Sequence, residues 1–233
     1  MFLWDHVAYR EPVRAVADPW VALAAVATAT ERVRLGPMVT PLPRRRAVVV
    51  ARQVATLDQL SAGRLTLGVG IGGDGSGELS ATGEQLDARL RGAALDEALE
   101  VLARAWTGER VDHRGDHHVV DGLTLLPTPV QRPGPPVWVA VRHGNRAPLR
   151  RAARHDGVFP IEVPSPDQLA ELVAEVHALR DPGRGALDVA VGGAPGTDPA
   201  DWAAAGATWW LTAFPITTTV ADVRAALRDG PPR

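Results

Sequence analysis

Residues 31–73 constrain the fold most, because they hold an apolar strand, an amphipathic helix and a second apolar strand in close succession. The first strand, residues 34–40, is short and rich in aliphatic or β-branched side chains. The segment 46–60 has a helical spacing that places its apolar residues on one face, at positions 47, 50, 51, 54, 57 and 60. Gly63 ends the helix, and residues 65–71 form the second apolar run. Connections this short predict parallel strands joined by a right-handed crossover.

Both strands of this unit end in unusual residues. The first ends in PMVTP at 37–41 and the second in GIGG at 70–73. Ligands of α/β proteins bind at the C-terminal ends of parallel strands, so we expect the functional site there. The run 68–73 also fits G-x-G-x-x-G, but the residues after Gly73 do not open a helix, which disfavours a dinucleotide-binding loop. Small residues that let a flat ring approach the strand end are the favoured interpretation.

The composition excludes several classes of protein. The chain has 233 residues, of which 45% are hydrophobic, enough for a full core. A net charge of −2 gives no indication of nucleic acid or an anionic membrane as a partner. The absence of cysteine excludes disulfides, thiol nucleophiles and thiolate metal sites. No apolar run of about 18 residues is present, so we expect no membrane span.

Strand and helix patterns alternate along most of the chain. Helices are expected at about 18–30, 87–106, 147–154, 166–179, 199–204 and 220–228, and a hairpin at 109–126. Further strands are expected at 137–141, 158–161, 187–191 and 208–211, and residues 1–4 form a strand fragment. Seven strands that alternate with helices are one short of an eight-stranded (β/α) barrel, which takes about 250 residues.

Six segments, taken together, resemble the bacterial luciferase-like monooxygenase family of flavin- or deazaflavin-dependent (β/α) barrels. Their order and spacing carry the resemblance, since no single motif is decisive. The segments are FLWDHV at 2–7, DPWVALAAVATATERVRLGPMVTP at 18–41, ATLDQLSAGRLTLGVGIGG at 55–73, LPTPVQRPGPPVWVA at 126–140, RRAARHDGVFP at 150–160 and DGPPR at 229–233.

The resemblance implies a single TIM-type (β/α)8 barrel domain over residues 1–233. Members of the family begin with a strand and a helix before the segment that matches residues 2–7. We therefore expect this sequence to lack the first βα unit and to contain about seven parallel strands. The strand at 1–4 would then have an open edge, which favours association or instability.

The resemblance also assigns the catalytic residues. In the family, the Asp-His position lies beside the flavin ring and the substrate, which would make His6 a proton donor or a substrate orienter. Histidine side chains change charge near neutral pH, which suits that role. Asp5 would orient His6 or cap the loop. Without the resemblance, His6 is a terminal histidine near a frayed end.

Three groups of residues are expected to bind the cofactor. The family has a non-prolyl cis peptide under the flavin ring, and the resemblance places it at Met38–Val39, plus or minus one residue, with Thr40 beside it. The alternative is an ordinary strand end with Met38 in the core. Gly70 and Gly72 would form a small-residue wall. The loop Arg142, His143, Gly144 and Asn145 would bind the cofactor phosphate, since a glycine turn before a helix offers N–H groups and two arginines add charge. The alternative is a polar surface loop.

Other polar and aromatic residues have simpler interpretations. The arginines at 44–46 could face an anionic ligand, but a solvated basic helix start is favoured. The histidines at 113, 117 and 118 and Asp116 match no common zinc pattern, so we expect a solvated hairpin and no metal. Adjacent Trp209 and Trp210 should face opposite sides of a strand, so that one of them, with Trp4, could line a substrate pocket.

The expected function is oxygenation of a small organic substrate with reduced FMN. The alternatives are hydride transfer with the deazaflavin coenzyme F420, and a non-catalytic or degenerate flavin-binding barrel. A Rossmann-type dehydrogenase would require a helix beginning near Asp74. The expected partners are a separate flavin reductase and a second copy of the chain in a homodimer, with neither nucleic acid nor a membrane, and the expected location is the cytoplasm.

Overall fold

The computed structural model describes residues 1–13, 15–142, 144 and 146–230. The chain forms two compact units, Met1–Val137 and Trp138–Arg233. The expectation of a single domain over 1–233 stays a prediction. Among the described residues, no helix combines the length and the apolar character that a membrane span requires.

The first unit contains four α-helices, a short 3₁₀-helix and six short strands among its described residues. In chain order they are β1 (Phe2–Leu3), α1 (Pro19–Ala29), β2 (Gly36–Pro37), β3 (Thr40–Pro41), the 3₁₀-helix Leu42–Arg44, α2 (Ala47–Leu60), β4 (Leu67–Gly70), α3 (Glu78–Ala81), α4 (Ala88–Ala105), β5 (Val111–Arg114) and β6 (Val119–Leu123).

Capping residues fix where the long helices begin. The Asp18 side chain accepts a hydrogen bond from Val21 N, with Pro19 at the first helical position of α1. Asp87 caps α4 in the same way. The predicted apolar face of α2 is confirmed at positions 47, 50, 51, 54 and 57, which are buried. It is wrong for Leu60, which is 47% exposed at the last residue of the helix.

The strands of the first unit, apart from the hairpin β5–β6, pair in parallel. β1 pairs with β2, and β3 pairs with β4. An isolated bridge between Leu35 and Leu65 continues the parallel pairing upstream. β2 and β3 are the two halves of the strand predicted at 34–40, interrupted at Met38–Val39. The C-terminal ends of β1, β3 and β4 are therefore the ends that carry the predicted site residues.

The second unit alternates strands and helices. In chain order they are β7 (Val137–Arg142), whose first residue belongs to the first unit, α5 (Arg146–Ala152), β8 (Gly157–Ile161), α6 (Pro166–Leu179), β9 (Asp188–Gly193), α7 (Ala200–Ala204), β10 (Trp209–Thr212) and α8 (Val220–Asp229). The strands pair in parallel in the order β7, β8, β9, β10. Ser165 caps α6 by accepting a hydrogen bond from Gln168 N.

All seven predicted parallel strands occur among the described residues, when β2 and β3 count as one. The expectation of an α/β fold with parallel strands that alternate with helices is confirmed. The predicted hairpin at 109–126 is also confirmed, as the antiparallel pair β5–β6.

Candidate functional site

A polar cluster lies at the C-terminal ends of the parallel strands in the first unit. Asp5 and His6 follow β1, Thr40 belongs to β3, and Gly70 ends β4. The Thr40 hydroxyl donates a hydrogen bond to Asp5 Oδ2, so residues 35 positions apart meet at this edge. The strand ends thus bring Asp5 and Thr40 together.

The Asp5 carboxylate is almost fully buried and accepts five hydrogen bonds. Its side chain meets Arg45 in a two-point contact, with Nε 2.9 Å from Oδ2 and Nη2 2.7 Å from Oδ1. Arg44 Nη2 donates to Oδ1 at 3.0 Å, and Trp20 Nε1 donates to Oδ2 at 3.3 Å. The Thr40 hydroxyl completes the set. Paired planar contacts of this kind are among the strongest hydrogen bonds in proteins.

Opposing effects act on the pKa of Asp5. Burial raises the pKa of this carboxyl, but hydrogen bonds from Arg45 and Thr40 and the charges of Arg45 and Arg44 outweigh burial, so the pKa lies below its usual value. Asp5 is therefore ionised near neutral pH. Because the Asp5 carboxylate is ionised and all of its hydrogen-bond partners are donors, Asp5 acts as a structural anchor and not as a proton donor.

The expectation of a solvated basic helix start is wrong for Arg44 and Arg45. Their side chains are only 7% and 19% exposed, and both pair with Asp5. Arg46, at the cap of α2, is the exposed member of the run. Residue type alone could not reveal this, because the partner carboxylate lies about forty positions earlier in the sequence and reaches the arginines only through strand pairing.

Glu78 is the partner of His6. Glu78 Oε1 lies 2.8 Å from His6 Nδ1, and Glu78 Oε2 accepts a hydrogen bond of 3.0 Å from the Val7 amide. Arg44 Nη1 lies 2.9 Å from the same Oε2, an ion-pair contact without hydrogen-bond geometry. Arg44 therefore bridges the carboxylates of Asp5 and Glu78, and it links the anchor to the residue that contacts His6.

The ionisation of Glu78 sets which nitrogen of His6 carries the proton. Burial raises the pKa of Glu78. The hydrogen bonds from the Val7 amide and His6 and the charge of Arg44 together outweigh burial, so the pKa lies below its usual value. An ionised carboxylate only accepts hydrogen bonds, so Nδ1 of His6 must carry the hydrogen. The other nitrogen, Nε2, makes no hydrogen bond with the described residues, and the His6 side chain is 32% exposed.

The sequence did not identify Glu78 as a site residue, because it lies in the glycine-rich segment 72–86, after β4, where no strand or helix pattern is evident. This segment contains the one-turn helix α3, which begins after Gly77, and the Asp74 side chain accepts hydrogen bonds from the amides Leu79 N and Ser80 N of that turn. A carboxylate in a glycine-rich segment that follows a parallel strand was the available signal. The turn begins well after Gly73, so the glycine run still does not open directly into a helix.

The predicted cis peptide bond is present at Met38–Val39. Met38 is buried, which is also what the alternative interpretation of Met38 as a core residue predicts. Gly68 makes room for this segment: a Cβ on Gly68 would lie 2.4 Å from Pro37 O and 2.9 Å from Met38 Sδ. Close approach of two backbones therefore requires glycine at 68. A place for Met38 and Val39 under a flavin ring stays a prediction.

The glycines at the end of β4 differ in their surroundings. Gly70 is buried and pairs with Pro41. Gly72 has φ +74°, and a Cβ there would lie 3.0 Å from Pro41 Cβ. A Cβ on Gly73 would meet no heavy atom within 4 Å. The backbone at 72 therefore requires glycine, whereas the backbone at 73 borders open space.

Aromatic rings flank His6. The ring centroids of His6 and Tyr9 are 4.9 Å apart, and those of Trp4 and Tyr9 are 5.8 Å apart. Trp4 is 55% exposed. The three rings offer apolar surface next to the imidazole. The expectation that Trp4 lines a substrate pocket stays a prediction.

The predicted phosphate loop lies in the second unit. Arg142 ends β7, and its Nη1 donates to Glu162 Oε2 in an exposed ion pair. Gly144 is exposed with φ +81°. His143 and Asn145 lie outside the described residues. Phosphate binding by this loop stays a prediction, and Arg142 would have to exchange Glu162 for the phosphate.

Tryptophans 209 and 210 contact different partners, as their alternation predicts. Trp209 Nε1 donates to Asp188 Oδ1 at 3.0 Å, and Trp138 Nε1 donates to Asp188 Oδ2 at 3.1 Å. Trp210 packs near Trp202, with ring centroids 6.3 Å apart. The Asp188 contacts lie at the N-terminal ends of the strands, where barrel residues contribute to stability and not to ligand binding.

Glu97 of α4 organises the histidine-containing hairpin. Its carboxylate contacts His113 Nε2 at 2.9 Å and accepts from the amides of His117 and His118 at 2.9 and 2.6 Å. His113 is therefore held against α4, and the expectation of a wholly solvated hairpin is wrong for this residue. No group of three or more His, Cys, Asp or Glu residues that could hold a metal ion occurs within the described part of the chain.

Comparison with known proteins assigns the chain to a protein family. The model of the family described as luciferase-like monooxygenase matches residues 2–225. The uncharacterised protein y4wF of Sinorhizobium fredii is 37% identical over 140 residues, which cover 60% of this chain and 39% of that protein.

Solved structures agree on the fold. The monooxygenase RslO1 of Streptomyces bottropensis matches with a TM-score of 0.69 and 28% identity, over 83% of this chain and 59% of that one. An F420-dependent secondary alcohol dehydrogenase, solved with an F420–acetone adduct, matches with a TM-score of 0.70 and 22% identity, over 82% of this chain and 58% of that one. This chain thus spans less than two thirds of the length of each relative.

Proposed function

The chain belongs to the luciferase-like monooxygenase family, and from this premise we propose that it uses reduced FMN and oxygen to oxygenate a small organic substrate. The observation that carries the proposal is the His6–Glu78 pair, anchored through Arg44 to Asp5, at the C-terminal ends of the parallel strands. Ligands bind at these ends in α/β folds. Oxygenation favours FMN, because the deazaflavin reacts poorly with oxygen.

The residues at the strand ends fit a flat cofactor ring. Open space beside Gly73 leaves the end of β4 unobstructed, and Gly72 keeps the chain close to Pro41. Met38–Val39 and Gly70–Gly72 would hold the ring, and the loop from Arg142 to Asn145 would hold the phosphate. Reduced FMN, when bound, supplies the electrons that activate oxygen, while the protein supplies position and electrostatics.

His6 is the residue that handles a proton. Glu78 accepts from Nδ1, which leaves Nε2 to accept a hydrogen bond from a substrate hydroxyl, or, when the ring is protonated, to donate one to a substrate oxygen. Arg44 holds Glu78 in place and is itself held by Asp5. Asp5 thus acts on His6 through two ion-paired side chains, and not by direct contact.

The aromatic rings beside His6 support an organic substrate with an apolar body. Trp4 and Tyr9 present ring faces and edges next to the imidazole, while the nearby charges of Asp5 and Glu78 are already paired. A substrate that carries one polar oxygen would place it at His6 Nε2 and its apolar part on the rings.

Anaerobic titration tests the cofactor. We expect reduced FMN to quench tryptophan fluorescence, and Gly73→Leu to weaken its binding at least about tenfold by filling the open space. Gly185→Leu is the matched control, because a Cβ at Gly185 in the second unit also meets nothing within 4 Å. Binding of F420 alone would replace the proposal by hydride transfer with F420. Binding of neither cofactor would favour a non-catalytic barrel.

The proposal includes the remaining expectations on partners and location. A flavin reductase would supply reduced FMN, two copies of the chain would form a homodimer, and the protein would work in the cytoplasm. Sedimentation of the native protein tests the dimer. Reconstitution with a reductase, NADH and FMN tests the supply of reduced cofactor.

A further inference from the structure

The segment that carries Glu78 forms a loop whose two ends are held by one side chain. This loop, residues 71–86, is called the Glu78 loop here. It begins directly after β4 and ends directly before Asp87, the cap of α4. Compact surface loops with adjacent ends are frequently functional.

Arg91 contacts both ends of the Glu78 loop. Its Nε donates to Ile71 O at 3.1 Å, at the start of the loop. Its Nη1 donates to Gln85 O at 2.9 Å and to Leu86 O at 2.5 Å, at the end of the loop. One planar guanidinium therefore fixes the distance between the two ends.

The surroundings of Arg91 show that this contact determines its position. The residue is 8% exposed and lies in the first turn of α4, where the helix dipole disfavours a cation. Its hydrogen-bond acceptors among the described residues are all backbone carbonyls. It forms no ion pair with the described residues, although its charge helps to lower the pKa values of Asp74 and Asp87. The buried guanidinium therefore binds backbone at both ends of the Glu78 loop.

We propose that Arg91 is a positioning residue for the His6–Glu78 pair: it keeps the Glu78 loop closed and thereby keeps the Glu78 carboxylate on His6 Nδ1. Its importance for the reaction rests on the proposed function, whereas the coupling of Arg91 to His6 does not. Leu79, which is 1% exposed, holds the middle of the loop in the core, and Arg91 holds its ends.

Arg91 can affect His6 because the His6–Glu78 contact is a short hydrogen bond that depends on the position of Glu78. A hydrogen bond of 2.8 Å is lost when its acceptor moves by about one ångström. Glu78 lies in a helix of a single turn, which has little stability of its own. Release of the loop ends would let this turn shift. Lysine at position 91 cannot fully replace arginine, because an ammonium lacks the planar guanidinium that reaches both ends of the Glu78 loop.

Nitrogen NMR of the histidine side chains tests the proposal without any cofactor. Long-range ¹⁵N–¹H spectra distinguish the Nδ1–H and Nε2–H tautomers, and the variant His6→Gln identifies the His6 signal among the seven histidines. The test variants are Arg91→Met and Arg91→Lys. Arg89→Met is the matched control, because Arg89 lies on the same turn of the helix but is exposed.

We expect the Nδ1–H tautomer in the native protein and with Arg89→Met. Arg91→Met should shift His6 toward the Nε2–H tautomer, with Arg91→Lys between the two. Amide hydrogen exchange at Leu79 should become at least about tenfold faster with Arg91→Met, because the loop opens locally. Arg91→Lys keeps charge and length, so it carries the test if Arg91→Met does not fold.

An unchanged His6 tautomer in a folded Arg91 variant would overturn the proposal, even if the variant were less stable. That result would leave the proposed function intact if reduced FMN still bound. Conversely, if the Arg91 variants shift the His6 tautomer but the native protein binds no cofactor, the positioning role of Arg91 would be supported and the proposed function overturned.

Discussion

Replacement of Asp5 by asparagine tests the anchor of the site. The substitution keeps the shape of the side chain but removes its charge and turns one acceptor oxygen into a donor. Each carboxylate oxygen accepts at least two hydrogen bonds, so the new amide NH₂ group would face at least two donors. It would also leave Arg44 and Arg45 without their shared carboxylate.

The expected loss of unfolding free energy follows from the burial of Arg44 and Arg45. Removal of one member of a buried ion pair costs about 3–5 kcal/mol. The lower end applies here, because Arg45 is 19% exposed and water can reach it. A loss of about 3 kcal/mol corresponds to a fall of roughly 6–12 °C in melting temperature for a chain of this size.

The assay must report on the first unit. Amide hydrogen exchange of peptides from α2 measures the free energy of opening in that unit, and thermal denaturation gives the melting temperature. Asp121→Asn is the matched control, because Asp121 pairs with Arg114 at 3.1 Å but both side chains are more than two thirds exposed. The control should leave stability unchanged, as exposed pairs contribute little. A loss below about 1 kcal/mol with Asp5→Asn would refute the anchor role.

Three further predictions concern the same cluster. Thr40→Val should cost about 1.5–3 kcal/mol of unfolding free energy, because it removes a buried donor to the Asp5 carboxylate; a neutral effect in urea denaturation would contradict that contact. Gly68→Ala should lower the melting temperature sharply, whereas Gly73→Ala should not, because only the first Cβ meets backbone; equal effects would refute the close approach. The pKa values of Asp5 and Glu78 are lowered by folding, so their contribution to stability is complete above about pH 5, where both carboxyls are ionised even in the unfolded chain, and is lost as pH falls through the lower folded values; a urea midpoint that does not fall between pH 5 and about 2.5 would contradict this.

Local patterns predicted the fold because their causes are local. The apolar spacing of α2 depends on residues within a turn or two of each other. The order of strands and helices then left few topologies, since parallel strands need crossovers. The resemblance supplied the cis peptide at Met38–Val39, which residue types alone did not indicate.

The site was less predictable because its contacts are distant in sequence. The His6–Glu78 contact joins residues 72 positions apart, and Arg45 reaches back 40 positions to Asp5. Hydropathy treats these arginines as exposed charges, although ion pairing makes their burial possible. Glu78 and Arg91 were missed for the same reason, since both act through a loop whose shape depends on tertiary contacts.

A crystal structure of the protein with FMN would test the proposed cofactor site. We expect the ring to lie against Met38–Thr40 and Gly70–Gly73, within hydrogen-bond or van der Waals reach of His6. We expect the phosphate at the loop 142–145. Saturating FMN bound elsewhere on the chain, or no bound FMN at a concentration that saturates a binding assay, would contradict the proposed site.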